Sequence, residues 1–291
     1  SYDARTMVGE VGETVDSLSI MEAYTRGANR LHMAYSFDML SPEFSAAHFR
    51  SRIEGFFNGA PDGWPSWSFS NHDVMRHVSR WTPHAVDQDS MARLAIGMLA
   101  SFEGTIGIYN GEELGQTDTD LAYHELTDVQ GLEFWPKDKG RDGCRTPIVW
   151  DADAPNAGFS DATPWLPVKD PQAARAVSRQ VVQNDSVLNT YKEVLAYRRA
   201  QAVLRVGRSR FVDLPEPVLA FHREADGARL TCVFNLSPEP LSVHVSGMVA
   251  MEGVNADCHK IDVFVEWPDG TINRPQIIAF QDLYSNKMLA W

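Results

Sequence analysis

The chain has 291 residues, just under two of the roughly 150-residue units into which globular proteins divide, so two compact units or one large unit with an appendage are expected. With 44% hydrophobic and 22% charged residues it can bury a sizeable core, which excludes a disordered or collagen-like polymer. Its net charge of −13 leaves no whole-chain electrostatic footprint for a phosphate backbone.

Arg5 to Gly9 is a brief strand-like run ending at Glu10, and Asp16 or Ser17 can cap a helix running towards Arg26. Leu31 to Phe37 is the next strand candidate, ending at Asp38. Ser45 then opens a helix in which Phe49, Ile53, Phe56 and Phe57 recur at i, i+4, i+7 and i+8, a pattern that predicts a buried face. Trp67 to Ser70 is strand-like and ends in Asn71-His72-Asp73. Met91 to Phe102 is an apolar helix, and Thr105 to Tyr109 a fourth strand closed by Asn110-Gly111. Strands alternating with helices predict βα units and a parallel sheet. Glu10, Asp38, His72 with Asp73, and Asn110 all fall at strand ends, which in a parallel sheet or barrel share the face on which sites are built.

Residues 110 to 170 carry many turns, several aromatics and little periodicity; a loop of that length in a compact domain is usually functional. Asp170-Pro171 predicts an N-cap and first helical residue. A second helix is expected from about Ser186 to Arg199, with Val187, Tyr191, Val194, Leu195 and Arg198 in register. After Gly207 the period switches to two, over Phe211–Leu214, Val218–His222, Leu230–Asn235 and Leu241–Val245, with turns at Asp226-Gly227 and Pro238. This predicts a small antiparallel β unit.

Cys144, Cys232 and Cys258 have no paired spacing, which argues against a zinc site or a disulfide framework and fits a reducing, cytoplasmic compartment. The longest apolar run, Leu94 to Phe102, falls far short of the about 18 to 20 residues that span a bilayer, so no membrane partner is expected. The chain opens Ser1-Tyr2-Asp3 without an initiator methionine or a signal segment, as though it begins inside a longer reading frame.

Two carboxyl groups flanking one sugar bond are what glycoside hydrolysis requires: one protonates the leaving oxygen and another stabilises positive charge at the anomeric carbon. Glu10 and Asp73, at the ends of the first and third strands, are close enough in a parallel barrel to face a common ligand. Strand-end acids also serve as helix caps and loop salt bridges, so spacing alone leaves both readings open.

Met7-Val8-Gly9-Glu10, Phe69-Ser70-Asn71-His72-Asp73 and Gly107-Ile108-Tyr109-Asn110-Gly111-Glu112-Glu113-Leu114-Gly115 resemble successive motifs of the α-amylase superfamily, in its α-glucosidase and oligo-1,6-glucosidase branch. Gly140-Arg141-Asp142-Gly143-Cys144-Arg145-Thr146-Pro147 resembles that branch's long loop after the eighth strand, and the resemblance runs over residues 1–245. It implies a (β/α)8 barrel with a β-sandwich behind it, retention of anomeric configuration, and no cofactor. Glu10 then corresponds to the general acid/base and Asp73 to the transition-state-stabilising aspartate. His72 corresponds to the histidine that bonds sugar hydroxyls, and Arg141 to an arginine that grips the same sugar. The family's nucleophile, an aspartate at the end of the fourth strand, has no counterpart here; Asp3 and Asp38 do not occupy matching positions. A retaining mechanism needs carboxyls ~5 to 5.5 Å apart, so the chain alone is expected to be inactive.

Asn255 to Pro275 and Gln281 to Trp291 read as a meander: one strand, a Pro268-Asp269-Gly270 turn, a return run through Ile277 to Phe280, and a further strand. This stretch resembles the opening strands of the RNase H-like core of phage Mu-type transposases. The resemblance makes Asp257 the first of three metal-binding acids and nucleic acid a partner of the tail only. The fold expected is therefore α/β: the C-terminal half of a (β/α)8 barrel, strands 5 to 8, over 1–205, a truncated antiparallel β domain over 206–247, and a transposase-like meander over 248–291. The substrate is expected to be an α-glucoside oligosaccharide, a non-catalytic carbohydrate-binding remnant being the alternative. The unpaired edges of a half barrel predict self-association.

Overall fold

The computed structural model describes residues 5–11, 16–27 and 29–244, together with two strands at Ile261–Glu266 and Ile272–Asn273. Four short strands, β1 (Val8–Glu10), β2 (Met33–Tyr35), β3 (Pro65–Trp67) and β4 (Thr105–Ile106), pair in chain order and all in parallel. Helices α1 (Ser17–Thr25), α2 (Ala46–Gly59), α3 (His77–Trp81) and α4 (Gln88–Ser101) lie in the crossovers. The parallel βα alternation read from the sequence is therefore present. The second and fourth strands are shorter than expected and the third lies two residues earlier: pairing stops at Trp67 and Ile106, after which Gly107 N–H still donates to the Trp67 carbonyl.

Helix α2 starts where expected because the Ser45 hydroxyl accepts the His48 amide, and it buries Phe49, Ile53 and Phe56 on one stripe. Asp16 does stand at the N-cap of α1, but with φ 58° and no side-chain capping bond. A side-chain cap needs an extended backbone at that residue, so this expected cap is not made. Helix α4 is capped by Asp87 and is buried all round from Ser90 to Ser101, packed against α3 and a later helix.

Beyond β4 the chain runs through one-turn helical segments and three short helices, α5 (Val129–Phe134), α6 (Asp170–Ala173) and α7 (Val177–Gln180), before the long α8 (Val187–Ala200) and the short α9 (Ala202–Val206). Lys169, not Asp170, is the N-cap of α6; Asp170 is its first helical residue, where its charge suits the positive end of the helix. Val187, Tyr191 and Val194 are buried on α8, as their spacing predicts. Arg198 donates to the carbonyls of Ala100, Phe102 and Gly104, closing the C-terminal end of α4.

The C-terminal unit begins with an antiparallel sheet of β5 (Arg208–Phe211), β6 (Val218–Ala225) and β7 (Ala228–Asn235). Its hairpin turn takes Asp226 and Gly227 to positive φ. The fourth expected strand, β8 (Leu241–His244), does not extend this sheet. It pairs in parallel with β9 (Ile261–Glu266), which pairs antiparallel with β10 (Ile272–Asn273). Leu241 and Val243 pack instead on Val218, Ala220 and Val233, so the two sheets form layers over a small apolar core. The return strand of the tail lies at Ile272–Asn273, and Ile277 to Phe280 fall outside the described residues.

The main core runs without a break from Phe49, Trp67, Phe69 and Trp81 through Phe102 to Phe221 and Phe234. Buried polar groups tie the same junction. The Glu216 carboxylate accepts the Ala46 and Ala47 amides at the start of α2, and Arg223, fully buried, donates to the Ser101 and Gly207 carbonyls. Among the described residues no helix is long and apolar enough to cross a membrane.

Candidate active site

Glu10 is the last residue of β1, in register with Tyr35 on β2, so both side chains rise from the same face of the sheet. They line a cavity of about 380 Å³ over the strand ends, with Ser70, Asn71, His72 and Tyr109 among its other walls. Gly107 on the same wall packs tightly against Ser68: a Cβ there would lie 2.3 Å from the Ser68 hydroxyl. Among the described residues the Glu10 carboxylate has no hydrogen-bond or ion-pair partner, so the cap and salt-bridge reading of this acid is not realised.

After β3 the Asn71 side chain accepts the amides of Asp73 (2.8 Å) and Val74 (3.1 Å). This local turn projects His72 and Asp73 outward. Asp73 is not a cap, but it does make the loop salt bridges of the alternative reading: it is the centre of an ion-pair cluster. Its Oδ1 accepts from Arg141 Nη1 at 3.1 Å and from Arg145 Nη2 at 2.9 Å, while Oδ2 lies 3.4 Å from His72 Nε2. Arg145 Nε also donates to the His72 carbonyl at 2.6 Å.

Glu10 and His72 thus share the cavity wall, whereas Asp73 and Arg141 stand beside it, joined to it through His72. Asp257 lies outside the described residues. Among the described residues no group of three or more His, Cys, Asp or Glu side chains could hold a metal ion.

The segment bearing both arginines is irregular, and polar groups hold it. Asp128 accepts from Arg141 Nε (3.0 Å) and Nη2 (2.9 Å), a two-point grip on one edge of the guanidinium that holds its carboxyl well below the usual carboxylate range. Asp142, fully buried, accepts the amides of Thr127 and Asp128 and the Thr127 hydroxyl. Arg76, also fully buried, reaches the carbonyls of Asn110 and Cys144, and the Tyr109 hydroxyl donates to Cys144 as well. Burial pushes the Cys144 thiol up to about 11, and both Cys144 and Cys232 are free and buried. Trp81 is buried in the core, while Trp150 and Trp165 are exposed.

Sequence reasoning did not single out Arg145 or Asp128. Arg145 lies in the loop motif Gly140 to Pro147, four residues after Arg141 on the same turn. Asp128 carried no signal, because nothing periodic links it to Arg141.

An α/β fold with an acid-bearing cavity over the C-terminal ends of parallel strands is the architecture of enzymes that build their sites there. Comparison with known proteins places the chain within that class. The family model "Alpha amylase, catalytic domain" matches residues 1–207, and the chain belongs to this family. A probable alpha-glucosidase of Rhizobium meliloti is 43% identical over 239 residues, covering 82% of this chain and 43% of the relative. An oligo-1,6-glucosidase of Heyndrickxia coagulans is 31% identical over 202 residues, covering 63% and 36%. The solved structure of the alpha-glucosyl transfer enzyme XgtA superposes with TM-score 0.76 at 42% identity, covering 82% of this chain and 44% of that one. The chain therefore spans less than half the length of these relatives. Residues 245–291 match a second family model, "Bacteriophage Mu transposase".

Proposed function

We propose that residues 1–205 are the C-terminal half of a (β/α)8 barrel, and residues 206–247 part of its β-sandwich domain, in a retaining α-glucosidase acting on α-linked di- and oligosaccharides. Glu10 is the general acid/base. Asp73 stabilises the transition state, and His72 and Arg141 bond the sugar's hydroxyls. The observation that carries this reading is the cavity shared by Glu10 and His72 with Asp73 fastened to His72 at its edge. The two free, buried thiols accord with a cytoplasmic location. Self-association through the edges of β1 and β4, where Met7 and Val8 are exposed, belongs to the same reading.

Retention needs a second carboxyl ~5 to 5.5 Å from the acid. None of the residues matching the family motifs supplies it, so the 291-residue chain alone is inactive and gains activity when that carboxyl comes in trans. The test is to co-express the chain with the part of the Rhizobium meliloti relative that precedes the matched segment and to assay a chromogenic α-glucoside. Hydrolysis is expected, and Glu10→Gln is expected to lower it by about 10²–10⁴-fold. Hydrolysis at an undiminished rate in Glu10→Gln would remove Glu10 from this role.

A second reading applies to the tail alone. The match over 245–291 supports a fragment of a transposase core, in which Asp257 is one of three acids and DNA the partner.

A further inference from the structure

Asp73 can present a defined oxygen to a ligand only if its side chain is held, and the two groups that hold it are arginines on an irregular loop. Arg141 sits at a half-exposed position, where a long side chain with four rotatable bonds would sample many directions. It does not, because Asp128 grips it. One oxygen of Asp128 accepts both the Arg141 backbone amide (2.7 Å) and Nε (3.0 Å), and the other accepts Nη2 (2.9 Å). Asp128 is itself fixed from below, its amide donating to the buried Asp142 at 2.7 Å. The free edge of the guanidinium then points Nη1 at Asp73.

We infer that Asp128 is a positioning residue for Asp73: by fixing the Arg141 guanidinium it lets Arg141 and Arg145 share Oδ1 of Asp73 and leaves Oδ2 beside His72 at the edge of the cavity. This rests on the proposed function in one respect, that Asp73 faces a sugar. A carboxylate is required because its two acceptor oxygens take the two N–H groups along one edge of the guanidinium, Nε and Nη2, whereas an asparagine would turn an NH2 group towards one of them. The alternation Asp128–Arg141–Asp73–Arg145 also keeps like charges apart along the chain of contacts.

The test is NMR of the uniformly ¹⁵N-labelled 291-residue chain, without sugar. In Asp128→Asn the Arg141 Nε–H is expected to exchange with water at least tenfold faster at pH 7. The Arg145 Nε–H and the Thr127 amide should remain protected, and Asp128→Glu should restore Arg141. An unchanged Arg141 signal in Asp128→Asn would overturn the proposal. So would equal loss of protection at Arg145 and Thr127, which would mean that the loop had merely collapsed.

The wild-type chain gives a second measurement that does not depend on the variant folding. The bonds from Arg141 lower the Asp128 carboxyl below its ordinary 3.8, so the clamp is complete above about pH 4 and is lost only as the pH falls through that lower value. The Arg141 Nε–H shift should therefore stay constant from pH 7 to about 4; a midpoint above 4 would overturn the proposal. Isomaltose titration of the labelled chain complemented with the preceding part of the Rhizobium meliloti relative tests the glycosidase reading separately. An intact clamp with no response at Glu10 or His72 would sink that reading and leave the clamp standing.

Discussion

The parallel-sheet unit and the segment from Gly107 to Ser186 are held together by different chemistry. Around the sheet the stabilising contacts are apolar and largely aromatic: Phe49 packs ring to ring with Phe44, Phe69, Trp81 and Phe102. The loop segment has only two small apolar clusters, around Leu114 and Leu121, and adds to them carboxylates and guanidiniums, with Asp142, Asp128, Arg76 and Arg141 each fastening backbone or another charge. Apolar packing is non-directional and shared among many neighbours, so it makes a stable platform. Charged hydrogen bonds are directional, so they can set a side chain's orientation. The first region carries Glu10 on its rim, and the second aims two arginines at Asp73.

The largest effect is expected from breaking the platform. Phe49→Ala empties a fully buried ring site among four aromatic neighbours and should cost about 3–5 kcal/mol of global stability. Urea unfolding would show the whole transition moving to lower denaturant, with loop and sheet probes shifting together. If only probes near α2 moved, the sheet unit would not be the single cooperative platform described here.

A smaller and more local effect is expected in the loop. Asp142→Ala strands the amides of Thr127 and Asp128 and the Thr127 hydroxyl without their acceptor, at about 2–3 kcal/mol. Hydrogen exchange should rise sharply across residues 117–146 and much less in α4 and α8. A rise of equal size in α4 would show that the loop is part of the platform rather than an attachment to it.

This division also explains what could be read from the sequence. Phe49, Ile53 and Phe56 on α2, and Val187, Tyr191 and Val194 on α8, announce themselves because burial imposes a repeat on neighbouring residues. Asp226-Gly227 announces its turn because positive φ restricts residue choice. Glu10 and Asp73 were legible as strand-end acids, and their chemistry only through motif resemblance. The Asp128–Arg141 grip was not legible, since it joins residues 13 positions apart through an irregular path. The allocation of Leu241–His244 to a second sheet was also hidden: period-two alternation gives a strand's faces but not its neighbour.

The smallest effect sharpens the comparison, because it uses the same chemistry as the clamp. Arg50 and Glu54, one turn apart on α2, make an ion pair of 3.1 Å, close to the 2.9–3.0 Å of Arg141 with Asp128. What differs is the carboxylate's surroundings: the Glu54 side chain is 42% exposed and that of Asp128 3%. In water the exposed pair gains little over its hydrated partners, and it must hold two long side chains in one geometry. Glu54→Gln is therefore expected to cost no more than about 0.5 kcal/mol, less still in high salt. Urea unfolding at low and high ionic strength would measure it. A loss above 1 kcal/mol would mean that Arg50, which also reaches Asp213 across the junction to the β unit, is part of a network tying that unit to α2. The line between platform and attachment would then have to be redrawn to include the charged surface of α2.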